Sequence, residues 1–225
     1  MTAATSEITG LKANAEAVIF DFDGTLADSM WVWEHVDREF FDRHRLPYDQ
    51  EYAEMIAVLG FESGADYTIE KYGVDATREE IIEEWKSIAQ HEYATKVRLK
   101  PRAEEYLRKL HRAGVPLGIA TSLQRNLLEP ALKNNGVFSL FSAISVCDEI
   151  VDTGKSTPAV YHASASALGA QLEDCIVFED VVTAAASAKR GGAYVVGVYD
   201  EHKQQATDEL RGIVDEFIEG YEQLL

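Results

Sequence analysis

The sequence predicts an α/β protein in which a parallel sheet is interrupted by an inserted segment made only of helices. Three observations lead to this prediction. Short apolar runs recur along the chain, helical patterns lie between them, and one long interval has helical patterns without any such run. Alternating strand and helix signals are typical of βαβ units and therefore of a parallel sheet.

Five short apolar runs are the predicted strands. They are rich in β-branched residues and show no polar alternation, which favours strands buried on both faces of a parallel sheet. The runs are Ala17–Phe20, Val115–Ala120, Ala143–Val146, Cys175–Phe178 and Tyr194–Val198.

Helices are predicted between these runs. Pro101 suits the first position of a helix, and Gly114 suits its C-terminal stop. The Ala-rich stretch Ala184–Arg190 ends in two basic residues and predicts another helix.

The interval from Met30 to Val97 breaks the alternation, because it contains aromatic residues at helical spacing and no buried-strand run. We expect an α/β domain formed by residues 1–29 and 98–225, with residues 30–97 as an all-helical insertion. The glycines predicted to separate the inserted helices are Gly60, Gly64 and Gly73.

The composition argues against several partners. With 21 basic and 39 acidic residues the net charge is −18, so neither nucleic acid nor an anionic membrane is an expected partner. No apolar run approaches the roughly 20 residues of a membrane span. The first residues lack the pattern of a signal peptide, so we expect a cytoplasmic protein. Cys147 and Cys175 lie beside apolar runs and are expected to be buried free thiols.

Polar side chains with related chemistry follow the predicted strands, where parallel sheets bind their ligands. They are Asp21 and Asp23 after the first strand, Thr121 and Ser122 after the second, Lys155 across a loop after the third, and Glu179 and Asp180 after the fourth. Each group alone is also consistent with a helix cap or a solvated turn. Their occurrence together, in this order, favours a catalytic site.

The chemistry of this set suits phosphoryl transfer. Asp21 can attack phosphorus as a carboxylate nucleophile. Asp23, two residues later, can protonate the leaving oxygen and then activate water. Lys155 would supply a point charge and Thr121 a hydroxyl to a highly charged phosphoryl group.

A metal site is also predicted at these strand ends. Mg²⁺ prefers a few carboxylates and other hard oxygens, which Asp21, Asp180 and a backbone carbonyl could supply. Gly24 is expected to relieve crowding where the chain turns after Asp23.

Four sequence motifs strengthen this interpretation. They are Asp21-Phe22-Asp23-Gly24-Thr25 after a hydrophobic strand, Thr121-Ser122 at a strand end, Gly154-Lys155-Ser156-Thr157-Pro158, and Phe178-Glu179-Asp180. In these motifs the sequence resembles the haloacid dehalogenase superfamily, whose members are mostly phosphatases. The insertion resembles the helical cap of its phosphoglycolate phosphatase and β-phosphoglucomutase relatives. The resemblance implies a Rossmann-like core with an inserted all-helical cap domain.

The resemblance also implies a role for each motif residue. The implied catalytic residues are Asp21 as nucleophile, Asp23 as acid and base, and Lys155. The implied phosphate-binding residues are Thr121, Ser122, Gly24 and Lys155. The implied Mg²⁺ ligands are Asp21, Asp23 through its carbonyl, Asp180, and Glu179 as a ligand or a support for the ligands.

Some positions depart from the family pattern. Ser156 stands where the family commonly has Pro, and Val181 and Ala184 stand where it usually has Ser and Gly. None of these removes a catalytic atom. Trp33 and Ser63 stand where β-phosphoglucomutase relatives have a cap histidine and an arginine for a second phosphate, which argues against a mutase.

The leading hypothesis is a Mg²⁺-dependent phosphatase that hydrolyses a small phosphorylated metabolite, such as a sugar phosphate, through an aspartyl phosphate. The expected partner is a small-molecule phosphate ester, and the expected form is a monomer or homodimer. Ser29, Met30 and Trp33 are the expected substrate contacts, although Trp33 also suits the core of the insertion. The alternatives are a β-phosphoglucomutase-type phosphomutase and, in another class, an aspartate-phosphorylated receiver-like module.

Overall fold

The chain divides into two compact units in the computed structural model, which describes residues 11, 15–56, 59, 61–150 and 154–225. The first unit, termed the α/β unit, comprises Met1–Ser29 and Arg98–Leu225. The second, termed the helical unit, comprises Met30–Val97.

The strands all belong to the α/β unit. They are β1 (Ala17–Phe20), β2 (Ala27–Asp28), β3 (Arg98–Leu99), β4 (Leu117–Thr121), β5 (Ala143–Val146), β6 (Cys175–Glu179), β7 (Tyr194–Val198) and β8 (Glu216–Ile218).

The helices fall into two groups. Those of the helical unit are α1 (Trp31–Arg43), α2 (Gln50–Ile56), α3 (Phe61–Tyr72) and α4 (Arg78–Thr95). Those of the α/β unit are α5 (Ala103–Arg112), α6 (Arg125–Asn134), α7 (Ala159–Ala167), α8 (Val182–Arg190) and α9 (Thr207–Ile213).

Six strands form one sheet in the order β5-β4-β1-β6-β7-β8, and every neighbouring pair in it is parallel. This confirms the predicted α/β fold with a Rossmann-like parallel sheet. β1 lies between β4 and β6, with Phe20 opposite both Ile119 and Phe178. The carboxyl ends of these three strands therefore lie side by side.

The five predicted strands are all present, and three of them have the predicted bounds. β4 begins two residues later than predicted and runs to Thr121, and β6 runs one residue further, to Glu179. The edge strand β8 and the short antiparallel pair of β2 with β3 were not predicted. Thr121 and Glu179, the first polar residues of their motifs, are thus parts of strands. Strand pairing therefore fixes their backbones in the sheet.

The two faces of the sheet bury different side chains. Ala17 and Ile19 belong to an apolar cluster with residues of α7 and α8. Phe20 packs instead in an aromatic group, with its ring centroid 4.7 Å from that of Phe178 and 6.4 Å from that of Tyr106. Both faces are therefore covered, as a parallel sheet requires. Cys147 and Cys175 are buried free thiols, as predicted.

The helical unit has its own aromatic core. α1 buries Val36, Phe40 and Phe41, and Trp85 of α4 packs edge-on against Phe40 at 5.7 Å. α4 begins with a capping box, in which the backbone N–H of Glu80 donates to the Thr77 hydroxyl at 3.2 Å. Local capping and the burial of one aromatic face together stabilise these helices.

Two local predictions are corrected by the structure. Gly64 does not separate helices, because it lies inside α3, where an added Cβ would approach the Ile56 Cδ1 atom to 2.6 Å. The helix expected to begin at Pro101 begins at Ala103, after Arg102 in the left-handed region at φ 66°. Gly73 follows α3 at φ 64°, as expected of a helix terminator, and Gly60 lies outside the described residues.

Candidate active site

Three neighbouring strands of the α/β unit end in the residues that the motifs single out. Asp21 follows β1, Thr121 is the last residue of β4, and Glu179 is the last residue of β6, with Asp180 next. The backbone N–H of Asp21 donates to the Phe178 carbonyl at 3.0 Å, so the ladder between β1 and β6 continues to the start of the site. Strand pairing thus brings together residues that are far apart in sequence.

The turn after β1 is held tightly. The backbone N–H groups of Gly24 and Ala27 donate to the carbonyls of Ala27 and Phe22, at 3.0 and 2.9 Å. Gly24 has a φ of 78°, which favours glycine. A Cβ on Gly24 would overlap the carboxylate of Asp180, whose Cγ would lie 3.0 Å away. Gly24 is therefore required both by the turn and by the close approach of Asp180.

A buried carboxylate cluster lies at these strand ends. The cluster is formed by Asp21, Glu179 and Asp180, each of which has a carboxylate oxygen within 4.8 Å of the others. All three side chains are buried. Three anions in one buried place repel each other, so the site requires positive charge.

Lys155 supplies the first positive charge. It lies in the 3₁₀ turn Gly154–Ser156 and forms ion pairs with Asp21 and with Glu179, the latter at 2.5 Å. Burial alone would lower the pKa of this ammonium, but Asp21 and Glu179 raise it above its ordinary value. Lys155 therefore stays charged and links two carboxylates of the cluster.

Glu179 is the most enclosed acid of the site. Its Oε1 accepts from Lys155 and from the Tyr161 hydroxyl, the latter at 2.7 Å. Burial raises the pKa of Glu179 to about 7, against the lowering effect of Lys155. No hydrogen-bond partner within the described part of the chain reaches its buried Oε2. One oxygen of Glu179 thus supports Lys155, and the other is left without a donor.

Lys203 supplies a second positive charge that the sequence did not reveal. It lies in the segment Glu201–Ala206 after β7 and forms an ion pair with Asp180. Burial tends to lower the pKa of Lys203, but Asp180 raises it above its ordinary value. Asp180 also accepts a hydrogen bond from Thr25 Oγ1 at 2.9 Å. Asp180 is therefore held from two sides.

Asp23 is positioned by Ser29, which lies six residues later in the sequence. The Ser29 hydroxyl donates to Asp23 Oδ1 at 2.6 Å, and Ser29 is itself buried. Ser29 is expected from the sequence to contact the substrate, and in the structure its hydroxyl orients the carboxyl group of Asp23.

Thr121 and Ser122 take different positions. Thr121 is buried, and its hydroxyl accepts from the backbone N–H of Leu123 at 3.0 Å. Ser122 is exposed, and its hydroxyl donates to the sulfur of Cys147 at 3.6 Å. Thr121 thus lies at the end of β4, while Ser122 is turned towards the end of β5.

Several residues of the site were missed in the sequence, namely Thr25, Tyr161 and Lys203 as partners of the acids. Thr25 belongs to the first motif, so a signal for it was present. Tyr161 lies on α7 and Lys203 beyond β7, and neither stands directly at a strand end. Their roles depend on tertiary packing, which spacing along the chain does not reveal.

The residues of the cluster fit a divalent cation. Three carboxylates, those of Asp21, Glu179 and Asp180, are paired with the ammonium groups of Lys155 and Lys203, so the cluster has more acids than bases. The donors of the buried cluster are all hard oxygens, which Mg²⁺ prefers over nitrogen or sulfur ligands. The unpartnered Oε2 of Glu179 is consistent with a further positive charge nearby.

Comparison with known proteins identifies the family. The family model of the haloacid dehalogenase-like hydrolases matches residues 18–198. This range contains all four motifs and the whole helical unit. A match of this extent covers most of the chain.

Named relatives agree with this match. The chain is 31% identical over 209 residues to validoxylamine A 7'-phosphate phosphatase of Streptomyces hygroscopicus subsp. limoneus. This alignment covers 91% of this chain and 95% of that protein. It is 28% identical to hexitol phosphatase A of Escherichia coli K12, over 80% of this chain and 81% of that protein. A crystal structure from Thermotoga maritima, of a protein assigned as a β-phosphoglucomutase, superposes with a TM-score of 0.81. It covers 93% of this chain and 96% of its own, and at 22% identity it shows the fold alone.

The parallel sheet, the cluster of acids with Lys155 and these relatives define an enzyme of the class that hydrolyses phosphate esters. The chain belongs to the haloacid dehalogenase-like hydrolase family. Among the described residues, no helix combines the length and the apolar character that a membrane crossing requires.

Proposed function

We propose that this enzyme is a Mg²⁺-dependent phosphatase of a small phosphorylated metabolite and that it works through an aspartyl phosphate on Asp21. One observation carries the proposal. The buried Asp21 carboxylate, directly after the central strand β1, is ion-paired with Lys155 beside the acids Glu179 and Asp180. Such an arrangement provides a nucleophile, a fixed positive charge and an oxygen-rich cation site within one cluster.

The first step is transfer of the phosphoryl group to Asp21. An oxygen of Asp21 bonds to phosphorus while the bond from phosphorus to the ester oxygen breaks. Asp23 gives its proton to that leaving oxygen, so a neutral alcohol departs. The hydrogen bond from Ser29 holds the carboxyl group of Asp23 in one orientation during this transfer.

The second step returns the enzyme to its starting state. Asp23 takes a proton from a water molecule, and the water oxygen bonds to phosphorus while the bond to Asp21 breaks. Inorganic phosphate leaves, and Asp23 is protonated again. Lys155 and the Thr121 hydroxyl would hold the phosphoryl oxygens in both steps.

Asp21, Asp180 and the Asp23 carbonyl would hold the cation, with Glu179 as a further ligand or a support. When bound, Mg²⁺ would neutralise charge on the phosphoryl group. Glu179 also fixes Lys155, because its Oε1 accepts from that ammonium at 2.5 Å. Tyr161 donates to the same oxygen and so stabilises the buried acid.

The relatives and the charge support a small-molecule substrate. One relative is a phosphatase of validoxylamine A 7'-phosphate and another a hexitol phosphatase. The net charge of −18 argues against nucleic acid or an anionic membrane surface as the partner. Two buried cysteines without a disulfide are consistent with the cytoplasm, where thiols stay reduced.

The alternatives weighed from the sequence are not favoured. A phosphomutase of the β-phosphoglucomutase type needs a group for a second phosphate, and the positions that would supply the cap histidine and arginine are Trp33 and Ser63. A receiver-like module has no helical insertion of the size of Met30–Val97.

The test measures phosphate release from a panel of sugar, polyol, nucleotide and carboxylate monoesters with Mg²⁺ and then with a chelator. We expect turnover of at least one ester that the chelator abolishes and that added Mg²⁺ restores. Acid quenching of the reaction, followed by mass spectrometry, should recover a phosphorylated peptide that contains Asp21.

Asp174→Asn is the matched control for Asp21→Asn, because Asp174 is an exposed aspartate of the same unit. It should keep both turnover and the labelled peptide. Failure of pure protein to hydrolyse any ester would contradict the proposal, as would a labelled peptide elsewhere in the chain.

A further inference from the structure

The helical unit contains a pocket of its own, which the proposed chemistry does not use. Its volume is about 670 Å³, within the range of roughly 300–1,000 Å³ typical of small-molecule sites. Side chains of α1, the segment after it, α2, α3 and α4 line it. All of its lining residues lie within Met30–Val97, so this pocket belongs to the helical unit alone.

Aromatic rings form much of the wall. Phe61 lies between two tryptophans, with its ring centroid 5.6 Å from that of Trp33 and 6.3 Å from that of Trp85. Tyr48 adds a fourth ring. Trp33 is 37% exposed and Phe61 40% exposed, although rings of this size are normally buried when they serve only as core. These two rings therefore offer flat surfaces to a ligand.

Asp37 is an acid on the pocket lining that lacks a hydrogen-bond or ion-pair partner within the described part of the chain. Burial, and then the nearby Glu34, raise the pKa of Asp37 to about 7. Its carboxyl oxygens remain hydrogen-bond acceptors in either protonation state.

The one cation on the described lining is already engaged. Arg38 donates to Glu34 Oε1 through Nε at 2.9 Å and through Nη2 at 2.7 Å. Its guanidinium also lies 4.5 Å from the centre of the Tyr48 ring. An anionic ligand would therefore find two carboxylates and a cation paired with one of them. The charge pattern disfavours phosphate or carboxylate groups in this pocket.

We propose that this pocket binds a neutral or cationic polyol, such as a cyclitol, sugar alcohol or amino sugar. The C–H faces of such a molecule would pack on Trp33 and Phe61, and a hydroxyl or ammonium group would donate to Asp37. An ammonium group would gain a further attraction from the ring faces. The molecule is either the alcohol part of the substrate, which rests on the proposed function, or a free polyol.

The test titrates the full-length protein with myo-inositol, sorbitol and glucosamine, and with gluconate as the anionic counterpart. Intrinsic fluorescence is the readout, because all three tryptophans lie in the helical unit and two of them line the pocket. We expect a saturable change with at least one polyol or amino sugar, and weaker binding of gluconate by about tenfold or more. No saturable change with any of the three, or equal binding of gluconate, would overturn the proposal.

Variants place the binding in this pocket. Asp37→Asn should weaken binding about tenfold, because a neutral amide oxygen accepts a weaker hydrogen bond than a carboxylate does. Trp33→Ala should weaken it as well, and the exposed Asp75→Asn should leave it unchanged. Circular dichroism would check that each variant is folded. Unchanged binding in both folded pocket variants would contradict the proposal, and the comparison of ligands on the natural chain holds even if one variant fails to fold.

Steady-state kinetics distinguish the two sources of the ligand. If the alcohol part of the substrate binds here, Asp37→Asn raises KM for a polyol phosphate and leaves kcat nearly unchanged. If a free polyol binds, the variant binds the polyol more weakly and keeps the KM of the ester. Polyol binding without turnover of any ester would sink the proposed function and leave the pocket assignment standing.

Discussion

Each unit contains an acid whose pKa is raised to about 7, chiefly by loss of solvent, but the two acids have opposite surroundings. Glu179 in the α/β unit accepts from Lys155 and Tyr161 inside a cluster of charges. Asp37 in the helical unit lies among aromatic rings and has no partner among the described residues. A pKa of about 7 thus arises both in a site organised around charge and in a pocket organised around apolar surface. A perturbed pKa alone does not tell what a carboxylate does, and its neighbours must be considered.

Removing the proposed nucleophile tests the charged site most strongly. Asp21→Asn should lower kcat/KM by roughly 10³-fold or more, because the covalent step is lost while the rest of the cluster stays. Phosphate release with the best ester of the panel measures this. Near-normal activity in a folded Asp21→Asn protein would rule out the covalent route.

Asp23 and Ser29 should differ in a graded way. Asp23→Asn should cost about 10²-fold or more, since general acid and base catalysis contributes about that much. Ser29→Ala should cost less, about tenfold, because it removes only the hydrogen bond that orients Asp23. Initial rates on one ester measure both, with exposed Ser166→Ala as the control. A larger loss in Ser29→Ala than in Asp23→Asn would contradict a positioning role for Ser29.

Lys203 offers a way to separate charge balance from catalysis. Lys203→Met removes the ammonium that pairs with Asp180, so the cluster becomes more negative and a divalent cation meets less competition. We expect the Kd for Mn²⁺ or Mg²⁺ to fall about tenfold, equivalent to roughly 1.4 kcal/mol. Titration calorimetry measures it.

The matched control is Lys133→Met, which removes an exposed lysine paired with Glu129 in the same unit. It should leave cation affinity unchanged. If Lys203→Met weakens cation binding, then Lys203 supports the metal site instead of competing with the ion.

The smallest expected effect concerns the helical unit. Asp37 has its ordinary pKa of 3.8 when unfolded and a pKa of about 7 when folded. The folded protein therefore binds the proton more tightly, and stability falls as pH rises between these values, with the loss complete above about pH 7. A side-chain amide at this position cannot ionise, so the Tm advantage of Asp37→Asn should grow by several degrees from about pH 5.5 to 8.

Thermal melts of Asp37→Asn and of the exposed Asp75→Asn measure this difference at each pH. A Tm advantage that does not depend on pH, or one that Asp75→Asn shares, would contradict burial as the cause of the shift. The raised pKa of Asp37 would then lose its physical basis.

Much of the α/β unit could be predicted from the sequence because its strands are buried on both faces. Such strands are continuous apolar runs, and Ala17–Phe20 is one whose bounds match the structure. The edge strand Glu216–Ile218 has only three residues and an exposed Glu216, so it lacks that signal. At Gly64 the prediction placed a helix boundary where a helix continues. The sequence alone does not distinguish a glycine that allows close packing inside α3 from one that ends a helix.

The candidate site was predictable where residues stand at strand ends. The buried cluster of Asp21, Glu179 and Asp180 follows from adjacent parallel strands, which strand order makes neighbours. Lys203 could not be foreseen, because it reaches Asp180 from an irregular segment beyond β7. The pocket of the helical unit was also missed, since aromatic residues at helical spacing predict a core equally well.

The short pair of β2 with β3 has a consequence for how this architecture can vary. Asp28 lies opposite Arg98 in an antiparallel ladder, so the chain leaves and rejoins the α/β unit at paired residues. In terms of the connectivity of the α/β unit, residues 29–97 correspond to the loop of a β-hairpin. Loop-closure free energy rises by only about 0.6 kcal/mol for each doubling of loop length. The inserted segment can therefore lengthen, shorten or be exchanged at little thermodynamic cost to the residues around Asp21, which leaves its sequence open to change while the chemistry stays the same.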